Sequence, residues 1–304
     1  LPRRIGVIGL GAIGVEIAQA LSRLGLEVHG FDGSDRVAGI ADEKVAELAR
    51  GFLAEEFDVH LGAQVELADA PGGIEVRWAG GRVVVDKVIA AIGRRPNVEG
   101  LGLETLGVPL DDKGMPEVDP ETMRIGDTPV LLAGDADGHR PLLHEGADDG
   151  HIAGLNATSD SPIRLPRRTP LSVVFSDPQI AAVGEQLPDL DPAGILVGEV
   201  SYASQGRART MQRNRGLLRL YAARADGRLL GAAMAAPAAE HTAHLLALAV
   251  GRKLTIHDLL RMPYYHPTLE EGLRTALRAI GRQLPPCSIS DLAGCGSLGA
   301  EALE

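Results

Sequence analysis

Arg4-Ile5-Gly6-Val7-Ile8-Gly9-Leu10-Gly11-Ala12-Ile13-Gly14 is the stretch on which the reading of the fold turns. Its first half is a short apolar run, which predicts a buried parallel strand. Its second half is G-x-G-x-x-G. Beyond it, Ile17, Ala18, Leu21 and Leu24 recur at helical spacing and Gly25 supplies a stop. A second strand, Glu27-Val28-His29-Gly30-Phe31, ends in Asp32, eighteen residues after Gly14. Strand, glycine turn, helix, strand and acid follow in the order a dinucleotide-binding unit requires.

Each residue type has a physical reason. Gly9 permits the tight turn, Gly11 lets the backbone approach a pyrophosphate, and Gly14 lets the helix pack closely on the strand. The helix amino terminus offers unpaired N–H groups and the positive end of its dipole to an anion. Asp32 can accept from both ribose hydroxyls and repels a 2′-phosphate, so NAD is expected over NADP. Arg36, four residues on, qualifies that preference, because an Arg near this acid can receive a 2′-phosphate.

Outward from this turn, a helix is expected over Asp42 to Phe57, with Val45, Leu48, Ala49, Phe52 and Leu53 on one face. Short strands follow near Gln64 to Leu67, Ile74 to Trp78 and Arg82 to Val85, with Gly-Gly hairpin signals between them. Asp86 to Gly93 returns to the parallel sheet. Thr128 to Ala133 reads as another strand, ending in Gly134-Asp135, and a short helical stretch runs from Gly150 to Leu155. An acid at a strand's carboxyl end suits a cofactor hydroxyl, and the same pair alone also fits a turn.

The carboxyl-terminal part reads as α+β. Leu171 to Phe175 is a strand, and Leu217 to Ala223 and Arg228 to Ala235 flank the hairpin signal Asp226-Gly227. Helices are expected over Glu240 to Val250 and Pro267 to Ile280, the second with Pro at its first position. His266 precedes that Pro, and Glu271 lies within the second turn, where a carboxylate can reach back to the imidazole. Such a pair suits thiol chemistry: a base with an ordinary pKa of about 6.5 takes the thiol proton, and the carboxylate fixes its tautomer. The same residues also fit a helix cap with a favourable first-turn charge. Arg207, Arg209, Arg213, Arg215 and Arg219 read as a solvated or interface-lining set, and Cys287 and Cys295 as incidental thiols of a flexible tail.

Composition narrows the class. The chain has 304 residues and a formal charge of −11, which argues against gripping nucleic acid. No apolar run approaches the roughly 20 residues that span a membrane, no signal segment opens the chain, and two cysteines suit a reducing cytoplasm. No metal site is expected.

Four segments together resemble the pyridine nucleotide-disulfide oxidoreductase family. They are Gly9-x-Gly11-x-x-Gly14-x-Glu16, Ala91-Ile92-Gly93-Arg94-Arg95-Pro96-Asn97, Leu132-Ala133-Gly134-Asp135 and Tyr265-His266-Pro267-Thr268-Leu269-Glu270-Glu271. The resemblance covers residues 1 to 285 or so. It implies an α/β fold: a Rossmann-type NAD domain (1–97), a partial FAD domain formed by its returning half (98–160), and an α+β dimerisation (interface) domain (165–285), before a tail (286–304). It further implies that Gly93 belongs to the cofactor-binding residues, that Asp135 beside Gly134 meets the ribityl chain of FAD, that Leu142, Leu143 and His144 lie against the flavin, and that Glu16 lies near the nicotinamide amide. His266 and Glu271 would be catalytic, in a homodimer, on a dithiol or disulfide substrate such as lipoamide, with His266 serving the opposite subunit. The family's leading FAD segment, with its own G-x-G-x-x-G and redox C-x-x-x-x-C, has no counterpart here, and the chain opens Leu1-Pro2 without Met. A fragment is therefore expected, binding NAD weakly, holding little or no FAD and lacking lipoamide reductase activity by itself. Alternative readings are a mercuric reductase or soluble transhydrogenase relative, and a non-catalytic NAD-binding dimer.

Overall fold

The computed structural model describes residues 2–285. The chain forms two compact units: one runs through Ile92 and resumes at Thr169, and the other is Gly93–Arg168. Cys287 and Cys295 and the expected tail lie outside the described residues.

The first unit opens with β1 (Arg4–Ile8), α1 (Ala12–Arg23), β2 (Glu27–Phe31), α2 (Glu43–Ala54) and β3 (Asp58–His60). Three antiparallel strands follow, β4 (Glu66–Ala70), β5 (Gly73–Trp78) and β6 (Gly81–Val85), and then β7 (Lys87–Ala90). The parallel sheet has the order β3-β2-β1-β7. Ile5, Val7, Val15 and Ala18 are buried, as a covered parallel strand and its crossover helix require. Gly25, at φ +87°, turns the chain after α1. Asp42 caps α2 by accepting from the Val45 N–H at 3.1 Å.

The second unit contains α3 (Leu143–Ala157), two short 3₁₀ turns at Leu103–Leu106 and Gly134–Asp137, and isolated bridges. The strand expected over Thr128 to Ala133 is not formed. Only Leu131 pairs, in a single bridge with Arg124. No strand among the described residues lies beside this segment, and an apolar run without a ladder partner cannot satisfy its backbone as a sheet strand. The unit is held by a small core around Val98, Leu103 and Ile125, and by Arg167, which donates to the buried carboxylates of Glu145 and Asp149.

The first unit then continues with β8 (Leu171–Val174), β9 (Gln179–Gly184), β10 (Ile195–Ser201), α4 (Gly206–Thr210), β11 (Leu217–Ala223), β12 (Leu229–Ala236), α5 (Ala239–Gly251), α6 (Ile256–Leu260) and α7 (Glu270–Gly281). Its antiparallel sheet has the order β10-β11-β12-β9-β8. One face carries Leu218, Leu220 and Met234 against Leu246, Leu273 and Leu277 of the helices. The other carries Ile180, Tyr221, Ala233 and Ala235 into one core with Val45, Ala49 and Leu53 of α2. The nucleotide-type fold and the antiparallel sheet thus share an apolar interior.

Asp42 joins them. Its fully buried carboxylate accepts from Arg219 Nη1 at 2.5 Å and from the Tyr221 hydroxyl at 2.6 Å. Arg219, expected in a solvated or interface-lining set, is mostly buried at this junction. Burial pushes the Asp42 carboxyl up, but the hydrogen bonds from Arg219, Tyr221 and the Val45 N–H outweigh it and hold the group below its ordinary range.

A depressed carboxyl pKa stabilises the fold above the unfolded value, about 4, and that contribution fades as pH falls through the folded one. Asp42→Ala should therefore cost about 3–5 kcal/mol near neutral pH, because it strands a buried guanidinium. Denaturant titrations at pH 7 and pH 3 should show wild type losing more stability on acidification than the variant. Equal losses would remove Asp42 from the account.

Candidate functional site

The glycine turn follows β1. Gly9 adopts φ +90°, and a Cβ there would collide with the carbonyl of Ala91. A Cβ at Gly14 would overlap the carbonyl oxygen of Gly9. Packing within the protein therefore demands both glycines. Gly11 differs, since a Cβ there meets nothing within 4 Å. It caps α1 without a side chain, and no acid occupies the first turn of that helix. The N–H groups of that turn are left for an anion.

Asp32 stands beside this turn. One carboxylate oxygen accepts from the Leu10 N–H at 2.6 Å, and the other accepts from the Ser34 N–H and hydroxyl, both at 2.8 Å. A carboxylate offers about four acceptor positions, so hydroxyls can still be received. Arg36 turns into its own loop, donating to the Ala41 carbonyl at 3.2 Å. On α1, Glu16 accepts from the Phe175 N–H at 2.9 Å, which ties the helix to the segment after β8.

His266 and Glu271 are brought together. Nδ1 lies 2.9 and 3.1 Å from the two Glu271 oxygens, and one of these also accepts from the Thr268 N–H at 3.0 Å. The helix does not begin at Pro267. The His266–Pro267 peptide is cis, the Thr268 hydroxyl donates back to the Tyr265 carbonyl at 2.8 Å, and α7 begins at Glu270. Glu271 therefore sits in the first turn rather than the second, where the dipole favours a carboxylate. The imidazole is 80% exposed, and Glu271 meets it at Nδ1.

The remaining expected residues lie in the second unit. Gly93 is exposed at φ +98°. Asp135 accepts from Arg94 at 2.6 Å, and Arg94 also donates to the Pro141 carbonyl at 2.7 Å. Gly134, at φ +70°, donates its N–H to Asp149 at 3.1 Å. Arg94, Asp135, Asp137, His139 and Arg140 line a cavity of about 1040 Å³. Burial, first, and the neighbouring Asp149 raise the Asp137 carboxyl above its ordinary range. Leu142 and Leu143 are exposed, the latter by 93%, and His144 is exposed beside them.

Two features escaped the sequence reading. One is the Asp42–Arg219–Tyr221 junction. The other is a cluster of His29, Asp58 and His60 at the edge of the parallel sheet, whose only sequence signal is the alternation Asp58-x-His60 in a short strand.

The family model described as pyridine nucleotide-disulphide oxidoreductase matches residues 1–150, and the model for that family's dimerisation domain matches residues 171–277. The chain is 32% identical to a dihydrolipoyl dehydrogenase of Thermus scotoductus over 298 residues, covering 93% of this chain and 63% of that protein. It is 29% identical to a dihydrolipoyl dehydrogenase of Bacillus subtilis, covering 92% and 62%. Among solved structures, LpdA from Mycobacterium tuberculosis superposes with a TM-score of 0.81 at 27% identity, covering 92% of this chain and 62% of that one. The flavoprotein disulfide reductase RclA from Escherichia coli shares the fold, with a TM-score of 0.79 at 24% identity over 91% of this chain and 65% of that one. The chain thus spans about three fifths of the length of these curated relatives.

The two kinds of glycine predict different failures. Gly14→Ala should disrupt the turn and lower the melting temperature. Gly11→Ala should keep the fold, with a stability change of about 1 kcal/mol or less. Thermal melts distinguish them, and a Gly14→Ala protein of normal stability would contradict the packing argument.

Proposed function

Since the chain belongs to the pyridine nucleotide-disulphide oxidoreductase family, we propose that it carries the NAD site and the thiol proton-transfer pair of a flavin-dependent disulfide oxidoreductase that oxidises dihydrolipoamide with NAD+. The observation that carries this reading is the His266–Glu271 pair, with Nδ1 beside a carboxylate on an imidazole that is otherwise exposed. That arrangement orients the ring and leaves its other nitrogen to take a proton, as thiol deprotonation requires. Glu271 stabilises the imidazolium that forms, and the Thr268 N–H steadies Glu271.

The donor sets support the other roles in this reading. The open approach at Gly11 and the uncapped start of α1 hold the pyrophosphate of NAD, and Asp32 receives the ribose hydroxyls. Gly93, exposed at φ +98°, is a further cofactor-binding position. Glu16 lies on the nicotinamide side of the turn, fixed by the Phe175 N–H. In the second unit, Asp135 with Gly134 offers an acceptor for a ribityl hydroxyl, and Leu142, Leu143 and His144 offer an exposed, largely apolar ledge for a flavin ring. A flavin bound there supplies the electron relay between dithiol and nicotinamide. The working protein is a homodimer in which His266 serves the dithiol of the partner subunit, a reading supported by the match to the dimerisation-domain model.

In steady-state oxidation of dihydrolipoamide by the flavin-loaded enzyme containing this chain, His266→Gln should lower kcat by about 10²–10⁴-fold. Glu271→Ala should lower it less and leave the KM for NAD+ unchanged. Full turnover by the His266→Gln enzyme would overturn the assignment.

A further inference from the structure

β2 and β3 pair in parallel at the edge of the sheet, with His29 opposite Asp58 and Phe31 opposite His60. Side chains alternate along a strand, so His29, Asp58 and His60 share one face, with Glu27 two residues before His29. One donor atom from each of the three lies within 4.8 Å of the others, the one such grouping among the described residues. His29 is 8% exposed, and its ring is held at both ends: Nδ1 is 3.0 Å from an Asp58 oxygen and Nε2 is 3.1 Å from a Glu27 oxygen. His60 stacks on Phe31 at 4.9 Å and lies 4.6 Å from Trp78. Its Nε2 is buried with no hydrogen-bond partner.

We propose that His29 Nδ1, the Asp58 carboxylate and a ring nitrogen of His60 form a binding site for a divalent transition cation of the zinc class. With ligand bonds of about 2.0–2.2 Å, neighbouring atoms of a tetrahedral site stand roughly 3.3 Å apart; Nδ1 and the Asp58 oxygen already stand near that spacing, and the His60 nitrogen, within 4.8 Å of both, closes in on the cation as it replaces the proton between them. Glu27 then accepts from the Nε2–H of His29, the outer carboxylate that orients a metal-bound imidazole. Two imidazoles with one carboxylate favour zinc, copper or nickel over magnesium or calcium. Asp58 is largely exposed, which leaves the remaining coordination position to water. The bound ion fastens edge strand β3 to β2. It does so next to Asp32, whose N–H donates to the His60 carbonyl at 2.9 Å.

The test uses the whole chain and zinc chloride, after removal of metals with a chelator. Isothermal titration should give one equivalent of Zn²⁺ per chain, unchanged by millimolar Mg²⁺, and Zn²⁺ should raise the melting temperature. Asp58→Asn, at an exposed position, should weaken binding at least tenfold and remove the thermal shift, and His60→Ala should do the same. The double substitution Cys287→Ser and Cys295→Ser should leave both effects intact. Co²⁺ in place of Zn²⁺ should give visible bands without a thiolate charge-transfer band. Unaltered Zn²⁺ binding by Asp58→Asn, or no stoichiometric binding by wild type, would overturn the proposal and leave a histidine bridging two carboxylates.

Discussion

The bare α-carbon of Gly14 rests on the carbonyl of Gly9, and no side chain fits between them. That contact presses α1 onto the end of β1 and aims its first turn at open space. It also fixes where Leu10 lies, and Leu10 donates to Asp32 at the end of β2. The acid that would read a ribose is thus built into the turn that would hold the pyrophosphate. The glycine turn and Asp32 are set by one packing constraint and one hydrogen bond.

The rest of the first unit joins this turn to the segment that carries His266 and Glu271. α2 shares its apolar face with β11 and β12, and its cap Asp42 is locked by Arg219 and Tyr221. Gln19 of α1 exchanges hydrogen bonds with the backbone of Asp177, at 3.0 and 2.8 Å. On the opposite face of the same sheet lies α7, which carries Glu271 in its first turn. A buried carboxylate with three donors is costly to leave half-satisfied, so this junction resists sliding of helix on sheet. Such a junction keeps α1, with its glycine turn, and α7, with Glu271, on fixed layers of one unit.

Much of this was legible in the sequence because the signals are local. Gly9, Gly11, Gly14 and Asp32 announce themselves through spacing, and Asp226-Gly227 marks the hairpin that β11 and β12 form. His266 and Glu271 lie five residues apart, so chain geometry alone brings them near. The failures are non-local. Thr128 to Ala133 has a strand's composition, but pairing needs a neighbour, and composition does not reveal whether one is present. Pro267 is a fitting first helical residue, yet hydrogen bonds from Thr268 move the start of α7 to Glu270. Arg219 reads as one more surface arginine in a run of them, and only the packing of α2 on the sheet buries it. His29 and His60 meet across two strands separated by a whole helix, a distance that periodicity does not bridge.

Under the proposed function, the Gly9–Gly14 turn and Asp32 form a site for NAD. Fluorescence titration of the purified chain with NADH and with NADPH tests it most directly. The account predicts saturable NADH binding at least tenfold tighter than NADPH, with Asp32→Ala weakening NADH and erasing the discrimination. Equal affinities for the two nucleotides, or NADH binding untouched by Asp32→Ala, would contradict it.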